Sequence, residues 1–179
     1  MYNWRKGGFM KLIFAVDNNF SMGLKGDMLF HLRKDLKRFK SITMGNILVM
    51  GRKTLESLPG SKPLEGRTHI VLTRNKDYKN GDAHIINSLD DLDQLIESLN
   101  PQKDKEVFLI GGGDLVGQLI DKCDTAYITK VDKTYSSYDT QIPNLDELDE
   151  WKLVEKSEVQ VEEQKNETFH YTYNKYKRI

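Results

Sequence analysis

The segment EVFLIGGGDL (residues 106–115) joins an apolar run to three consecutive glycines and then to a helical pattern. Residues 106–110 read as a strand, and Leu115 and Leu119 continue at helical spacing. At such a corner, free backbone N–H groups and the positive end of the helix dipole can hold a pyrophosphate. The spacing is not G-x-G-x-x-G, because Val116 occupies the place of the third glycine and Gly117 comes one residue late. A purely structural strand-to-helix turn therefore stays open as the alternative.

The rest of the chain repeats this alternation of strand and helix. Strand patterns occupy residues 11–16, 47–50, 68–73, 84–86 and 126–131, and helical patterns occupy residues 32–40, a short segment after Thr54, and residues 89–99. Two alternating stretches, residues 151–161 and 167–177, are typical of antiparallel strands with one wet face. The pattern predicts a single-domain α/β fold with a central, mixed but mainly parallel, eight-stranded sheet, about four flanking helices and a C-terminal antiparallel hairpin.

Composition narrows the classes of function. Lys plus Arg equals Asp plus Glu at 27 each, so no overall field favours nucleic acid or an anionic membrane. Hydrophobic residues make up 38% of the 179 positions, which suffices for one core. The chain has one cysteine, Cys123, and no apolar run near the roughly 20 residues of a membrane span. We expect a cytoplasmic protein without an internal disulfide.

The first nine residues differ from the rest of the chain, because the first strand pattern begins only after Met10. We expect residues 1–9 to be an extension outside the fold and residues 10–179 to form the domain.

A second corner, Gly51-Arg52-Lys53-Thr54, places two cations beside free helix N–H groups, and Thr73-Arg74 ends the next strand pattern. Two such corners can clasp a long diphosphate. Converging guanidinium and ammonium groups suit an additional phosphate monoester, which separates NADPH from NADH. The alternative is that these cations are simply solvated loop residues.

One acidic residue, Asp35, stands on the apolar side of the first helical pattern, next to Leu36 and four residues before Phe39. A buried carboxylate needs a partner, and a ligand with an amidine-like N–C–N edge would give it two parallel hydrogen bonds. The pattern alone does not decide that a ligand is this partner. His31, His69, His84 and His170 lack metal-binding spacing, and no serine lies in a G-x-S-x-G elbow, so we predict no metal site.

Taken in order from Met10 to the C-terminus, these segments resemble the dihydrofolate reductase family. The resemblance is carried by Ala15-Val16 at the end of the first strand, Met22-Gly23-Leu24-Lys25-Gly26-Asp27-Met28, Asp35-Leu36-Lys37-Arg38-Phe39-Lys40, Met50-Gly51-Arg52-Lys53-Thr54, Leu64-Glu65-Gly66-Arg67, Leu72-Thr73-Arg74-Asn75 and Ile110-Gly111-Gly112-Gly113.

The resemblance implies reduction of 7,8-dihydrofolate to tetrahydrofolate, which serves one-carbon metabolism, with NADPH as cofactor. Asp35 would be the catalytic group that binds the 2-amino and N3 edge of the pterin, and Arg67 would bind the α-carboxylate of the glutamate tail. The other implied substrate-binding residues are Ile13, Ala15, Phe30, Leu36, Phe39, Leu58, Leu64, Ile110 and Thr129. The implied cofactor-binding residues are Ala15, Met22, Gly23, Gly51, Arg52, Lys53, Thr54, Leu72, Thr73, Arg74, Ile110, Gly111, Gly112, Gly113, Asp114, Leu115 and Val116. We expect a monomer that binds dihydrofolate and antifolate inhibitors, and neither nucleic acid nor membranes.

Several positions depart from the family pattern. Phe30 replaces a usual tryptophan and Leu29 a proline, which removes an indole N–H from the site. Val116 replaces a tyrosine beside the nicotinamide, and Asp114 replaces a basic residue near the cofactor phosphates. Tyr138 replaces a small residue in a loop that covers the site. These changes predict slower chemistry, weaker cofactor binding and altered loop closure.

Two rival functions fit part of this pattern. A reductase of a pyrimidine intermediate of riboflavin synthesis would share the NADPH corners but would not need Asp35 and Arg67 in these roles. A non-catalytic nucleotide- or folate-binding relative would account for Phe30, Val116 and Asp114. NADPH oxidation assayed with dihydrofolate separates the three.

Overall fold

The computed structural model describes residues 9–179. The strands are β1 (Met10–Val16), β2 (Ser21–Leu24), β3 (Asp27–Met28), β4 (Ile47–Gly51), β5 (Thr68–Leu72), β6 (His84–Ile86), β7 (Val107–Gly111), β8 (Cys123–Val131), β9 (Thr140–Gln141), β10 (Trp151–Lys156), β11 (Gln160–Gln164) and β12 (Glu167–Arg178). The α-helices are α1 (Arg33–Thr43), α2 (Arg52–Ser57), α3 (Leu92–Leu99) and α4 (Gly113–Leu119). Short 3₁₀ turns occupy Pro59–Ser61, Leu89–Asp91, Ile120–Lys122 and Leu145–Glu147.

Eight strands form one continuous sheet in the order β10-β12-β8-β1-β7-β4-β5-β6, and a ninth, β11, pairs with β12. The six strands from β8 to β6 run parallel, whereas β10, β11 and β12 add antiparallel pairs at one side. The predicted mixed, mainly parallel sheet with a C-terminal hairpin is therefore confirmed.

The single strand predicted over residues 151–161 is wrong, because the chain forms two strands there. At the break, Ser157 N donates to Tyr173 O and the Ser157 hydroxyl accepts from Tyr173 N, at 2.9 Å each. The serine side chain thus takes a place in the ladder that a backbone carbonyl would otherwise hold.

The helices cover both faces of the sheet, and alternate strand residues point to each face. Leu55 of α2 packs on one side with Ile13, Leu48 and Phe108. On the other side, the helices α3 and α4 cover an apolar cluster that contains Leu12, Val49, Leu109, Leu92, Ile96, Leu115 and Leu119.

The connections explain where this sheet opens. The chain passes from β1 through α1 to β4 in one direction, and from β7 through α4 to β8 in the other. Right-handed crossovers in opposite directions place α1 and α4 on opposite faces. Strands β1 and β7 pair only over Met10–Leu12 and Val107–Leu109, so their carboxyl ends are not hydrogen-bonded to each other. A crevice between diverging connections at the carboxyl ends of parallel strands is where such sheets bind ligands.

A second, three-stranded sheet of order β3-β2-β9 was not predicted. Its hairpin turns at Lys25 and Gly26, which both have positive φ (54° and 79°). Two consecutive positive φ values are the geometry of a tight hairpin turn. Strands of two to four residues carry too little alternation for a sequence pattern to reveal them.

At the N-terminus, residues 1–8 of the predicted extension lie outside the described residues. Phe9, which we had also assigned to the extension, donates from its N–H to Lys122 O at 3.0 Å and packs against the core. For Phe9 the assignment is therefore wrong. No helix within residues 9–179 is long and apolar enough to cross a membrane.

Candidate active site

Asp35 and Thr129 define one end of the site. Asp35 is the third residue of α1, and Thr129 lies near the carboxyl end of β8, where it pairs with Ala15 of β1. The Thr129 hydroxyl donates to Asp35 Oδ1 across 94 residues of sequence. Asp35 therefore faces inward, as its helical position predicted. Among residues 9–179, none donates a hydrogen bond to the second oxygen, Oδ2, which leaves it for a ligand.

Burial raises the pKa of Asp35 above its ordinary value. The hydrogen bond from Thr129 and the positive charge of Arg38 oppose this rise, and the negative charge of Glu162 adds to it. The site thus holds a carboxylate whose negative charge is incompletely compensated by the protein.

An apolar surface extends from this carboxylate along the face of the sheet that α2 covers. Ile13 is buried there, and four half-buried side chains pack against the same cluster: Phe39, Leu58, Leu64 and Ile110. Leu36 was expected on the buried side of α1 but is 44% exposed. The apolar stripe of α1 thus continues as an open surface beside Asp35.

Phe30 is 3% exposed and belongs to a closed aromatic cluster. Its ring meets those of Tyr135 and Phe169 edge to face, with centroids 5.3 and 6.1 Å apart. Ala15 packs against this cluster from β1. The phenyl ring fills the position without adding a polar group.

Arg67 is held in place by oxygen atoms of two nearby residues. Its Nε and Nη2 donate to Glu65 O at 3.0 and 2.9 Å, and Nη1 donates to the Thr43 hydroxyl at 3.5 Å. Since a guanidinium carries five N–H donors, two remain. Burial lowers the pKa of Arg67, and the charge of Glu65 opposes that shift.

The two glycine corners face each other at the carboxyl ends of β4 and β7. A Cβ placed on Gly51 would lie 3.9 Å from Gly112 N. Gly111 has φ +151°, and a Cβ there would lie 2.6 Å from Thr54 Oγ1, so that only glycine fits. A Cβ on Gly113 would lie 2.7 Å from Gln141 O of β9. The peptide between Gly111 and Gly112 is cis.

The predicted cations flank these corners unequally. Arg52 is paired with Glu56, both oxygens lying 3.0 Å from Nη1. Lys53 and Arg74 are exposed and form no ion pair within the described part of the chain. Thr73 is nearly buried, and its carbonyl accepts a hydrogen bond from Asn87 Nδ2 at 2.7 Å. Asn87, which the sequence did not single out, thus secures the turn that carries Arg74.

Three further residues predicted at the cofactor end are divided between surface and core. Asp114 is exposed in the first turn of α4, whereas the side chains of Leu115 and Val116 are 5% and 0% exposed. The Val116 N–H donates to Gly112 O at 3.0 Å. Neither the amide nor the side chain of Val116 is therefore open to a ligand, in contrast to its predicted role. Leu72, which was also predicted to bind the cofactor, is half-buried at the end of β5.

Met22 and Gly23 lie on β2, which forms a hairpin with β3, and two acidic residues hold this hairpin by hydrogen bonds. Asp139 Oδ2 accepts from Lys25 N at 2.7 Å, and this bond lowers the pKa of Asp139. Asp17 is fully buried; its Oδ1 accepts from Ser21 N of β2 at 2.8 Å, and its Oδ2 accepts from Tyr135 N at 3.0 Å. The sequence patterns did not identify either carboxylate, although an acid directly after a buried strand was a signal for Asp17.

Two other kinds of catalytic group, a metal ion and a reactive thiol, find little support in the described residues. Within residues 9–179, no three His, Cys, Asp or Glu side chains are grouped as a metal would require. Cys123 is buried, its thiol donates to Leu119 O at 3.4 Å, and burial raises its pKa to about 12. The thiol is therefore not a nucleophile.

Comparison with known proteins agrees with this geometry. The family model for dihydrofolate reductase matches residues 9–178. The chain is 33% identical to the dihydrofolate reductase of Buchnera aphidicola over 95% of its own length and 98% of that protein. It is 36% identical to the Bacillus subtilis dihydrofolate reductase over 88% of each. A solved dihydrofolate reductase from Enterococcus faecalis, complexed with NADP(H) and RAB-propyl, superimposes with a TM-score of 0.79 at 35% identity over 96% of each chain. The chain belongs to the dihydrofolate reductase family.

Proposed function

We propose that this protein reduces 7,8-dihydrofolate with NADPH by hydride transfer to pterin C6, and that Asp35 is its one ionisable catalytic residue. The observation that carries the proposal is the inward carboxylate of Asp35, which Thr129 holds by one oxygen while the other is left for a ligand. A pterin offers this oxygen pair two parallel donors, from its 2-amino group and N3.

The residues at the glycine corners fit NADPH. Gly51 and Gly112 approach each other without side chains, so that a diphosphate can reach backbone N–H groups of both corners. Lys53 and Arg74 supply positive charge, and neither forms an ion pair with a carboxylate of residues 9–179. When bound, NADPH supplies the hydride from C4 of its nicotinamide. Ala15 and Ile110, which are only partly buried, would support the ring on the side of Asp35.

Asp35 would act by position and charge. Its two hydrogen bonds would fix the plane of the pterin, and one negative charge beside the ring favours the N5-protonated cation that accepts hydride. The apolar surface of Ile13, Phe39 and Ile110 would keep water from competing for those hydrogen bonds.

Arg67 would bind the glutamate tail of the substrate. Its three bonds to Glu65 O and the Thr43 hydroxyl hold the guanidinium in place, and its two remaining donors can meet a carboxylate. Leu58 and Leu64 pack against the same apolar cluster as Phe39, and the aminobenzoyl group would contact them.

The test is NADPH oxidation, followed by absorbance, with dihydrofolate as substrate and with Asp35→Asn as the variant. Asparagine keeps the shape and an acceptor for Thr129 but has no charge. We expect turnover in the natural protein and a fall in kcat/KM of about 100-fold or more in the variant. Binding of both ligands without turnover would instead identify a binding protein, and turnover only with a pyrimidine substrate would favour the riboflavin-type reductase.

A further inference from the structure

The helix that carries Asp35 is capped by a strand distant in sequence. Leu32 is the N-cap of α1, and its side chain cannot accept the free N–H groups of the first turn. Instead, the carboxylate of Glu162 on β11 accepts from Arg33 N at 3.0 Å and from Lys34 N at 3.3 Å. The hairpin of β11 and β12 therefore supplies the hydrogen-bond acceptor that the first turn of α1 lacks.

Glu162 is itself held in place. Its residue is 8% exposed, and Gln164 Nε2 donates to Glu162 Oε1 at 3.2 Å and to His31 O at 2.8 Å. Across the hairpin Glu162 pairs with Phe169, which belongs to the aromatic cluster of Phe30. Glu162 thus accepts hydrogen bonds from three donors and is largely buried, so it is an ordered structural residue and not a solvated surface charge.

Asp35 occupies the third position of α1, where an acidic side chain commonly folds back to cap its own helix. Here it turns the other way and binds Thr129. Asp35 therefore faces Thr129, and the N-terminus of α1 is capped instead by Glu162 of β11.

We propose that Glu162 is a positioning residue for catalysis: by capping α1 from the C-terminal hairpin, it fixes the first helical turn against β8 and leaves Asp35 to the substrate. This inference rests on the proposed function, because it assigns Asp35 to the pterin. Glu162 does not touch the substrate, so its effect must appear through the alignment and charge of Asp35.

The charged and titratable groups that act on Asp35 come from three elements. Arg38 lies on α1, Glu162 on β11, and Tyr171 and Tyr173 on β12, while the neutral Thr129 donates from β8. Glu162 is the one carboxylate among them, and its charge opposes ionisation of Asp35. Removal of that charge should let Asp35 stay ionised to lower pH.

The experiment compares Glu162→Ala, Glu162→Gln and the control Glu163→Ala. Glu163 is the next residue of β11, is exposed and points to the opposite side of the strand. We expect Glu162→Ala to raise the KM for dihydrofolate about tenfold, the scale of a lost helix cap, while the KM for NADPH changes less than about twofold. Glu162→Gln keeps one acceptor oxygen, so its KM for dihydrofolate should lie between those of the natural protein and Glu162→Ala. Glu163→Ala should match the natural protein.

Two readouts separate positioning from general stability. First, the acid limb of the pH profile of kcat/KM should move to lower pH in both Glu162 variants. Second, Arg33→Pro added to Glu162→Ala should recover part of the KM, because proline at the first helical position removes one uncapped N–H. Leu32 has φ −87° and ψ 116°, which a following proline tolerates.

The outcomes distinguish the inference from the proposed function. Absence of dihydrofolate turnover in the natural protein would overturn both. Normal turnover, with an unchanged dihydrofolate KM and an unmoved acid limb in Glu162→Gln, would overturn the positioning role alone. Glu162→Gln answers the question even if Glu162→Ala does not fold.

Discussion

The two ends of the site are built in different ways. At the proposed cofactor end, Gly51 follows β4 and Gly111 to Gly113 follow β7, so two contiguous segments on neighbouring parallel strands bring their backbones together. At the proposed pterin end, Asp35 and Thr129 are 94 residues apart, and Glu162 meets Arg33 across 129 residues. One end depends on the absence of side chains, and the other on their specific pairing across the fold.

This difference predicts how each end fails. Added bulk should damage the cofactor end, because its function is a close approach of two backbones. Loss of charge should damage the pterin end while the fold survives, because the buried carboxylate of Asp35 destabilises the folded protein and the protein compensates this cost only in part.

The largest effect is expected from Gly111→Ala. A Cβ would meet Thr54 Oγ1 at 2.6 Å and Thr54 Cγ2 at 2.9 Å, and φ +151° disfavours any side chain. We expect the free energy of unfolding to fall by about 3 kcal/mol, measured by urea denaturation, because the clash and the backbone strain act together. An unchanged midpoint would show that the two corners are not in contact.

Gly51→Ala is the matched control for that variant. Its φ of −81° suits any residue, and the new Cβ would be 3.9 Å from Gly112 N. We expect stability within about 0.5 kcal/mol of the natural protein. Its affinity for NADPH should nevertheless fall about tenfold, since the methyl group would occupy the space between the corners. Unaltered NADPH affinity by calorimetric titration would remove the diphosphate from this place.

Arg67→Ala should act on the substrate alone. Loss of charge-assisted hydrogen bonds to a carboxylate costs about 2 kcal/mol, so we expect the dihydrofolate KM to rise about 30-fold in steady-state assays and the NADPH KM to stay constant. Lys62→Ala removes an exposed cation from the same segment and serves as the control. An equal rise of both KM values in Arg67→Ala would contradict the assignment.

The smallest effect concerns the stability of Asp35→Asn without ligands. Burial raises the pKa of Asp35 in the folded protein above its ordinary 3.8, so between the two pKa values the folded state binds more protons than the unfolded one. Stability is therefore lost as pH rises through this window, and the cost is absent below it. The variant should be more stable by about 1 kcal/mol at neutral pH and equal near pH 3, as judged by urea denaturation.

An exposed acid gives the reference for that measurement. Asp149 is exposed in the turn before β10, so Asp149→Asn gives the effect of the same substitution at a position in contact with solvent. A variant Asp35→Asn that is less stable at neutral pH would mean that the protein, and not the substrate, compensates the carboxylate.

How far the sequence predicts the molecule depends on the same contrast between local and distant contacts. The parallel strands and both glycine corners are local patterns, and their positions were predicted to within a few residues. The inward turn of Asp35 followed from helical periodicity. Thr129 was placed at the site only by the family resemblance, since nothing local marks it, and its hydrogen bond to Asp35 was not predicted. The capping by Glu162 went unpredicted, because its donors on α1 are brought near only by folding.

Val116 and Leu36 show what helical periodicity alone leaves undecided. Val116 was predicted to bind the cofactor, but its side chain is packed in the core. Asp114, two residues earlier in α4, is exposed. Leu36 was predicted to contact the substrate from the apolar side of α1, and its 44% exposure leaves it accessible for that contact. In both cases periodicity identified an apolar side chain and could not say whether protein or ligand covers it.

The central claim is that the negative charge of Asp35 speeds hydride transfer to C6 of the pterin. The most direct test is a single turnover with NADPH deuterated at nicotinamide C4, in the natural protein and in Asp35→Asn, with tetrahydrofolate examined by mass spectrometry and NMR. We predict one deuterium at C6 and a transfer rate at least about 100-fold slower in the variant. Equal rates in the two proteins, or deuterium absent from C6, would contradict the claim.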